Sequence, residues 1–234
     1  MAINSRFISR AWAGSTELEL SKHHLILSDI QPGNCVLTVK AVEAIKVNAA
    51  LALELGWGDS VTRVFLGIVE QVQSAEPGYL IVHCRELTTI LARPLAIALR
   101  HPTVRQVIDE VATQTGLTFV LPDKPYCDTA IPCFYADTSG YGVLDNIGRA
   151  FQITDFTWQQ QGNGAVYLGS WADSFWAGRT PALPSEYMDG QNGNTATMPA
   201  MPKLRPQVEV MLDGARHRLS RVEFKDTQMT ISWG

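Results

Sequence analysis

His83-Cys84 is the residue pair with the plainest chemical potential, because an imidazole beside a thiol can generate a thiolate nucleophile. The run that carries it, Tyr79-Leu80-Ile81-Val82, reads as a strand, and adjacent strand residues point to opposite faces. The two groups therefore cannot meet, and Cys84 reads as a strand position. Cys127-x5-Cys133, with Cys84 and Cys35, brings thiols that zinc or an iron–sulfur cluster could use, but the spacing fits no common zinc or ferredoxin pattern. Free thiols in a proline-flanked loop are the alternative, so no cofactor or metal is expected. Were a cluster present, Cys84, Cys127 and Cys133 would be its ligands. His23-His24 lies between polar residues and an apolar strand, where neighbouring imidazoles are surface or edge positions. Asp109-Glu110 has the composition of an acid–base pair but suits the solvated face of a helix. With no G-x-G-x-x-G, Walker loop, H-E-x-x-H or G-x-S-x-G in the chain, no catalytic residue is expected.

The elements around these residues are better formed than the chemistry. Residues 103–119 and 142–158 look like two copies of one unit: an amphipathic helix, a turn, and a strand of the form apolar–Thr–aromatic. Aligning the strand ends (Leu117-Thr118-Phe119 on Phe156-Thr157-Trp158) places Val104 on Val143, Ile108 on Ile147 and Val111 on Ala150. Thr103 with Gln106 fits a capping box, and Gly116 fits the residue just past a helix end. Residues 1–85 read as β structure. Leu51, Leu53, Leu55 and Trp57 share one strand face, a long strand covers Val61–Val72, and Glu76-Pro77-Gly78 marks a hairpin. Gly67 inside that long strand signals a bulge or a close backbone approach. Residues 178–206 hold five of the twelve prolines and no periodicity, so they read as an extended arm or linker. The expected division is thus a β-barrel-like domain over 1–85, an α+β section over 86–177, the arm, and strands over 207–234 completing a second barrel-like domain.

Composition narrows the function. Hydrophobic residues at 46% and charged residues at 18% suit a folded protein, and a net charge of −4 gives no general attraction for nucleic acid. Residues 1–202 carry 13 basic and 19 acidic residues, and residues 203–234 carry 6 and 4. No apolar run approaches the roughly 20 residues of a membrane-spanning helix, and the N-terminus is a poor secretory signal. Four scattered cysteines do not make a disulfide framework, which points to assembly in a reducing cytoplasm.

Several motifs follow one another along the chain: Val64-Phe65-Leu66-Gly67-Ile68-Val69, the paired helix–turn–strand units, the hairpin from Trp158 through Gln161-Gly162-Asn163-Gly164 to Leu168, and Arg205-Pro206-Gln207-Val208 followed by Asp213-Gly214 and Arg218-Leu219-Ser220-Arg221-Val222. In this order they resemble the hub proteins of phage tails and baseplates, of the Mu-like or siphophage type, and their relatives at the base of type VI secretion spikes. The resemblance implies a mixed, β-rich α+β fold with tube-like β-barrel domains, and a non-enzymatic structural role in the virion. It implies a ring, most simply a homotrimer with two barrels per chain, around the path of exiting DNA. Its partners would be the tail tube or distal tail protein on one side and tip, spike or fibre proteins on the other. Interface candidates are Trp171, Phe175, Trp176, Leu183, Tyr187, Met188, Arg216, Arg218 and Arg221. Candidates for an acidic channel wall are Glu17, Glu19, Glu43, Glu54, Asp59, Glu70 and Glu76. Two rival readings stand beside this one: a small cysteine-dependent enzyme, and a carbohydrate-binding or adhesin module using Trp171 and Trp176.

Overall fold

Apolar residues at every second position, broken by Gly-, Asn- and Pro-containing turns, make this a chain of strands. The computed structural model describes residues 6–43 and 45–234; residues 1–5 and 44, all inside the expected N-terminal domain, lie outside the described residues. The chain opens with β1 (Phe7–Ala13), β2 (Thr16–Leu18), β3 (Leu20–Ser28), β4 (Asn34–Lys40), β5 (Ala50–Trp57), β6 (Ser60–Ser74) and β7 (Tyr79–Glu86). There follow β8 (Pro94–Arg100), helix α1 (Val104–Thr115), β9 (Phe119–Val120), the single turn α2 (Pro125–Asp128), β10 (Cys133–Ser139), helix α3 (Gly140–Ala150), β11 (Phe156–Gln160) and β12 (Val166–Ser170). The chain closes with β13 (Gly190–Asn192), β14 (Thr195–Pro199), β15 (Glu209–Leu212), β16 (Ala215–Lys225) and β17 (Gln228–Trp233).

Two compact units result, one of Met1–Glu86 with Gly178–Gly234 and one of Leu87–Ala177. In the first, the described residues form one twelve-stranded sheet in the order β13-β14-β17-β16-β3-β4-β7-β6-β5-β1-β2, with β15 paired to β16. Its neighbouring strands are antiparallel. Leu51, Leu53 and Leu55 are fully buried, joined by Leu25, Leu37, Val39, Phe65, Val82 and Phe224. Phe7 of β1 stacks on His23 of β3, with ring centroids 6.4 Å apart. At Gly67 the backbone comes so close that a Cβ would lie 2.1 Å from the Arg85 carbonyl oxygen. Register shifts of this strand fall on either side of it, between Arg63 and Phe65 against β5 and between Val69 and Gln71 against β7.

The chain-order division at 206 is corrected by this topology. β16 pairs with β3, Phe224 opposite Leu25, so the C-terminal strands extend the N-terminal sheet as part of the same unit. The free edge of β3 offers unpaired backbone groups, and β16 presents a matching alternation of Leu219, Val222 and Phe224. The arm is corrected as well. β14 lies between β13 and β17, and Ala196, Met198 and Ala200 turn inward to full or near-full burial. That period-two pattern is hidden in the sequence by the Gly and Asn residues of the preceding turn.

The second unit sets two helices against a two-stranded sheet. β8 and β10 are antiparallel, with Ile97 opposite Ala136. Val104, Val107, Ile108 and Val111 of α1 share one core with Val143, Leu144 and Ile147 of α3. The α1 cap is a capping box between Thr103 and Gln106, and Gly116 ends the helix at φ +74°, a conformation glycine adopts without steric cost. β9 and β11 flank β12, the first parallel to it and the second antiparallel.

Candidate functional site

The His83-Cys84 pair is split between the two faces of its strand. On β7 the Cys84 side chain is fully buried, while His83 is half-buried on the opposite face. Cys84 stands directly across from Cys35 of β4, also fully buried. Burial pushes the Cys84 thiol up to about 12, with the Glu70 carboxylate adding to the shift, and pushes Cys35 well above the ordinary thiol range. Cys127 is buried in α2 and its thiol is likewise raised, first by burial, whereas Cys133 is exposed at the start of β10. Cys84 thus belongs to one unit and Cys127 and Cys133 to the other. Among the described residues no group of three or more His, Cys, Asp or Glu side chains could hold a metal.

Reactivity follows from this placement. Of the four cysteines, only Cys133 should react promptly with an aromatic disulfide reagent at pH 8, and the other three should wait for unfolding. A thiol held near 12 supplies about a thousand-fold fewer thiolates at that pH than a free one. A second fast thiol in the native protein would contradict the burial of these side chains.

Asp109 is exposed on α1 and Glu110 accepts a hydrogen bond from Gln114, so this pair sits on the solvated helix face. His23 departs from its expected edge position. It is buried, and burial lowers its basicity against the opposing pull of Asp226, while His24 lies 2.6 Å from Glu223.

The aromatic candidates divide. Tyr167 contacts Phe175 and Trp176 edge-on, and Trp171 and Trp176 are buried with it. Leu183 is buried too, its N–H bonded to the Met211 carbonyl. These three side chains are thus buried within the chain itself. Phe175, Tyr187 and Arg216 are exposed, and Met188, Arg218 and Arg221 are half-buried. Arg221 pairs with Glu223 at 3.1 Å.

Four of the seven acids proposed for a channel wall are in ion pairs: Glu17 with Arg10, Glu19 with Lys40, Glu54 with Arg63 and Glu70 with Arg85. Glu43, Asp59 and Glu76 are exposed on connections between strands. Glu54 and Arg63 join Trp12, Ala50, Ala52 and Leu66 in lining a cleft of about 230 Å³. The Trp12 indole N–H is buried and meets no acceptor among the described residues. Sequence reasoning missed this cleft, and it missed Ile30 and Tyr135, which are 85% and 75% exposed. The signal for Ile30 was an aliphatic residue set inside a turn cluster, Ser28-Asp29-Ile30-Gln31-Pro32-Gly33.

The fold, a long antiparallel sheet assembled from both ends of the chain and a separate helix-bearing unit formed by its middle, is similar to that of solved phage tail proteins. The 43 kDa tail protein of prophage MuSo2 from Shewanella oneidensis matches with a TM-score of 0.70 at 11% identity, over 98% of each chain. A component of the type VI secretion system of E. coli matches with a TM-score of 0.61 at 9% identity, over 95% of this chain and 76% of that one. In sequence, the chain is 33% identical over 216 residues to an uncharacterized 58.7 kDa protein from the lys 3′ region of Haemophilus phage HP1. That alignment takes in 92% of this chain and spans 40% of the phage HP1 protein. No protein-family profile matches the chain.

Proposed function

We propose that the chain is a structural component of a phage tail: a tail-tip or baseplate hub that closes into a ring around the DNA path. The observation that carries this reading is the tail-protein fold extending over nearly the whole chain, beside a phage relative aligned over 92% of it. The ring would join the tail tube or distal tail protein on one side to tip, spike or fibre proteins on the other. The ring would be a homotrimer, its three subunits matching a threefold tip. Phe175, Tyr187, Met188 and the Arg216, Arg218 and Arg221 group would lie at subunit or partner contacts. No helix among the described residues is long and apolar enough to cross a membrane. The protein would be a virion component assembled in the host cytoplasm.

Passage of DNA asks that the wall not bind phosphate, since each lysine or arginine contact releases counterions and holds the strand. The ion-paired glutamates supply a near-neutral surface, and Glu43, Asp59 and Glu76 would add an acidic component. Size-exclusion with light scattering on the purified chain should give a closed oligomer, and imaging of that species should show three subunits. Six identical subunits would remove the trimer and leave the hub; a single copy in the virion would remove both.

A further inference from the structure

We propose that His23 is an acid-sensitive latch: protonation of its imidazole undoes the contacts that hold the β16–β17 turn and the end of β14 against β1 and β5. The latch lies within one chain and stands apart from the ring reading above. His23 takes an inward position of β3, in line with the buried Leu25 and Leu27. It is 5% exposed, and its Nε2 atom is buried with no hydrogen-bond partner among the described residues. A neutral ring leaves only a lone pair unmet there. A protonated one buries a charge and a further N–H with no acceptor, which costs far more.

The imidazole is one link in a closed circuit of contacts. Phe7 of β1 stacks on it at an interplanar angle of 25°, and Phe7 meets Trp57 of β5 edge-on at 4.9 Å. The Trp57 indole N–H donates to the Ala200 carbonyl at 2.7 Å, and the Ala200 N–H donates to the Thr227 carbonyl at 2.9 Å. Thr227 follows Asp226 in the β16–β17 turn, and the Asp226 backbone returns to His23 through a hydrogen bond. The β3–β16 ladder ends with Lys225 opposite His24. Past that point the circuit, and not the ladder, joins the C-terminal strands to the N-terminal ones.

Asp226 and His24 are the titratable groups that act on the ring, the first favouring its cation and the second opposing it. The flanking cations Lys22 and Lys225 are exposed. The residues set against the ring from β1 and β4, Phe7 and Leu37, carry no charge. Burial is the largest influence and holds the imidazole below its ordinary range. The unfolded chain therefore takes up a proton that the folded one refuses. The latch is closed above about pH 6.5 and loosens as pH falls below it. Burial works against the Glu223 carboxylate, but His24 and Arg221 together hold its carboxyl below the ordinary range, so it titrates at lower pH. Asp29 and Glu86, which burial raises, add stability as pH falls, the opposite sign to His23.

The test follows amide exchange by mass spectrometry in the full chain at about pH 7.5 and about pH 5.5, on either side of the ordinary histidine value, with the intrinsic pH dependence of exchange divided out. Wild type is compared with His23→Phe, whose ring keeps the stack and carries no charge, so that contributions from Asp29 and Glu86 cancel. In wild type the protection of the segment holding Ala200 should fall by up to about ten-fold per pH unit, the limit for one proton, while α1 and α3 keep theirs. His23→Phe should keep its protection at both values. Equal protection of the Ala200 segment at the two values in wild type overturns the latch, and so does an equal loss in His23→Phe. A second readout needs no change at position 23. The His23 Cε1–H resonance of the folded wild type should stay at its neutral position through about pH 6.5. A His23 signal that titrates there while the Ala200 segment remains protected overturns the inference.

Discussion

Arg205→Ala should destabilise the large-sheet unit by about 3–5 kcal/mol, because it strands a buried carboxylate without its cation. The Arg205 guanidinium lies 3.2 Å from Glu86 and donates to the Val64 carbonyl, and the side chains of Arg205 and Glu86 are 10% and 6% exposed. Burial pushes the Glu86 carboxyl up and the Arg205 guanidinium down, while each partner pulls the other back toward its charged form. The pair also ties three separate stretches together: the strand from Val64, the end of β7, and the turn at Gly33. Urea unfolding followed by tryptophan fluorescence would measure the loss. Glu86→Gln should cost a similar amount, and the double replacement Glu86→Leu with Arg205→Met should cost less than the two single changes summed. A single variant within about 1 kcal/mol of wild type would mean that the charges are solvated and the pair carries little.

The second large effect is expected at Gly67. A side chain there would put its Cβ 2.1 Å from the Arg85 carbonyl oxygen and 2.6 Å from the Phe65 ring. The ring can move, but the carbonyl belongs to the β6–β7 ladder and cannot move without breaking it. Gly67→Val should therefore cost about 3 kcal/mol or more, at the upper end of what overpacking does. Calorimetry would show a clearly lowered melting temperature, with Ala intermediate between Gly and Val. A Val variant that melts with the wild type would place the strands further apart than described.

Gly67 also illustrates what could be read from the amino acids alone. A glycine amid Phe65, Leu66, Ile68 and Val69 has a local signature, and so do the leucines of β5 and the Thr103–Gln106 cap; each depends on neighbours a few positions away. The pairing of β16 with β3 has no such signature, because the alternating pattern of one strand fits many edges equally well. β14 was missed for a related reason: its two inward side chains are Ala196 and Met198, too few to stand out beside the Gly and Asn residues preceding them. Arg205 was visible as part of an Arg-Pro pair, but nothing local marks it as the partner of Glu86. The aromatic cluster around Trp176 gave the opposite error. Large rings suit both a core and a contact surface, and burial by Tyr167 decides the matter only once β12 is in place.

The split composition of the large unit also sets an order of events during synthesis. Residues 87–177 are continuous and can fold as they leave the ribosome, but β3 must wait for β16. At about 5–20 residues per second, the interval between making Leu25 and making Phe224 is on the order of ten to forty seconds. Throughout that time the nascent β3 has an open edge whose alternate residues are Leu25 and Leu27, the kind of surface that recruits other nascent strands. Yield of this protein in a cell should accordingly depend on how fast the ribosome reaches β16, and slowing translation anywhere between β3 and β16 should send more chains into aggregates than slowing it before β3.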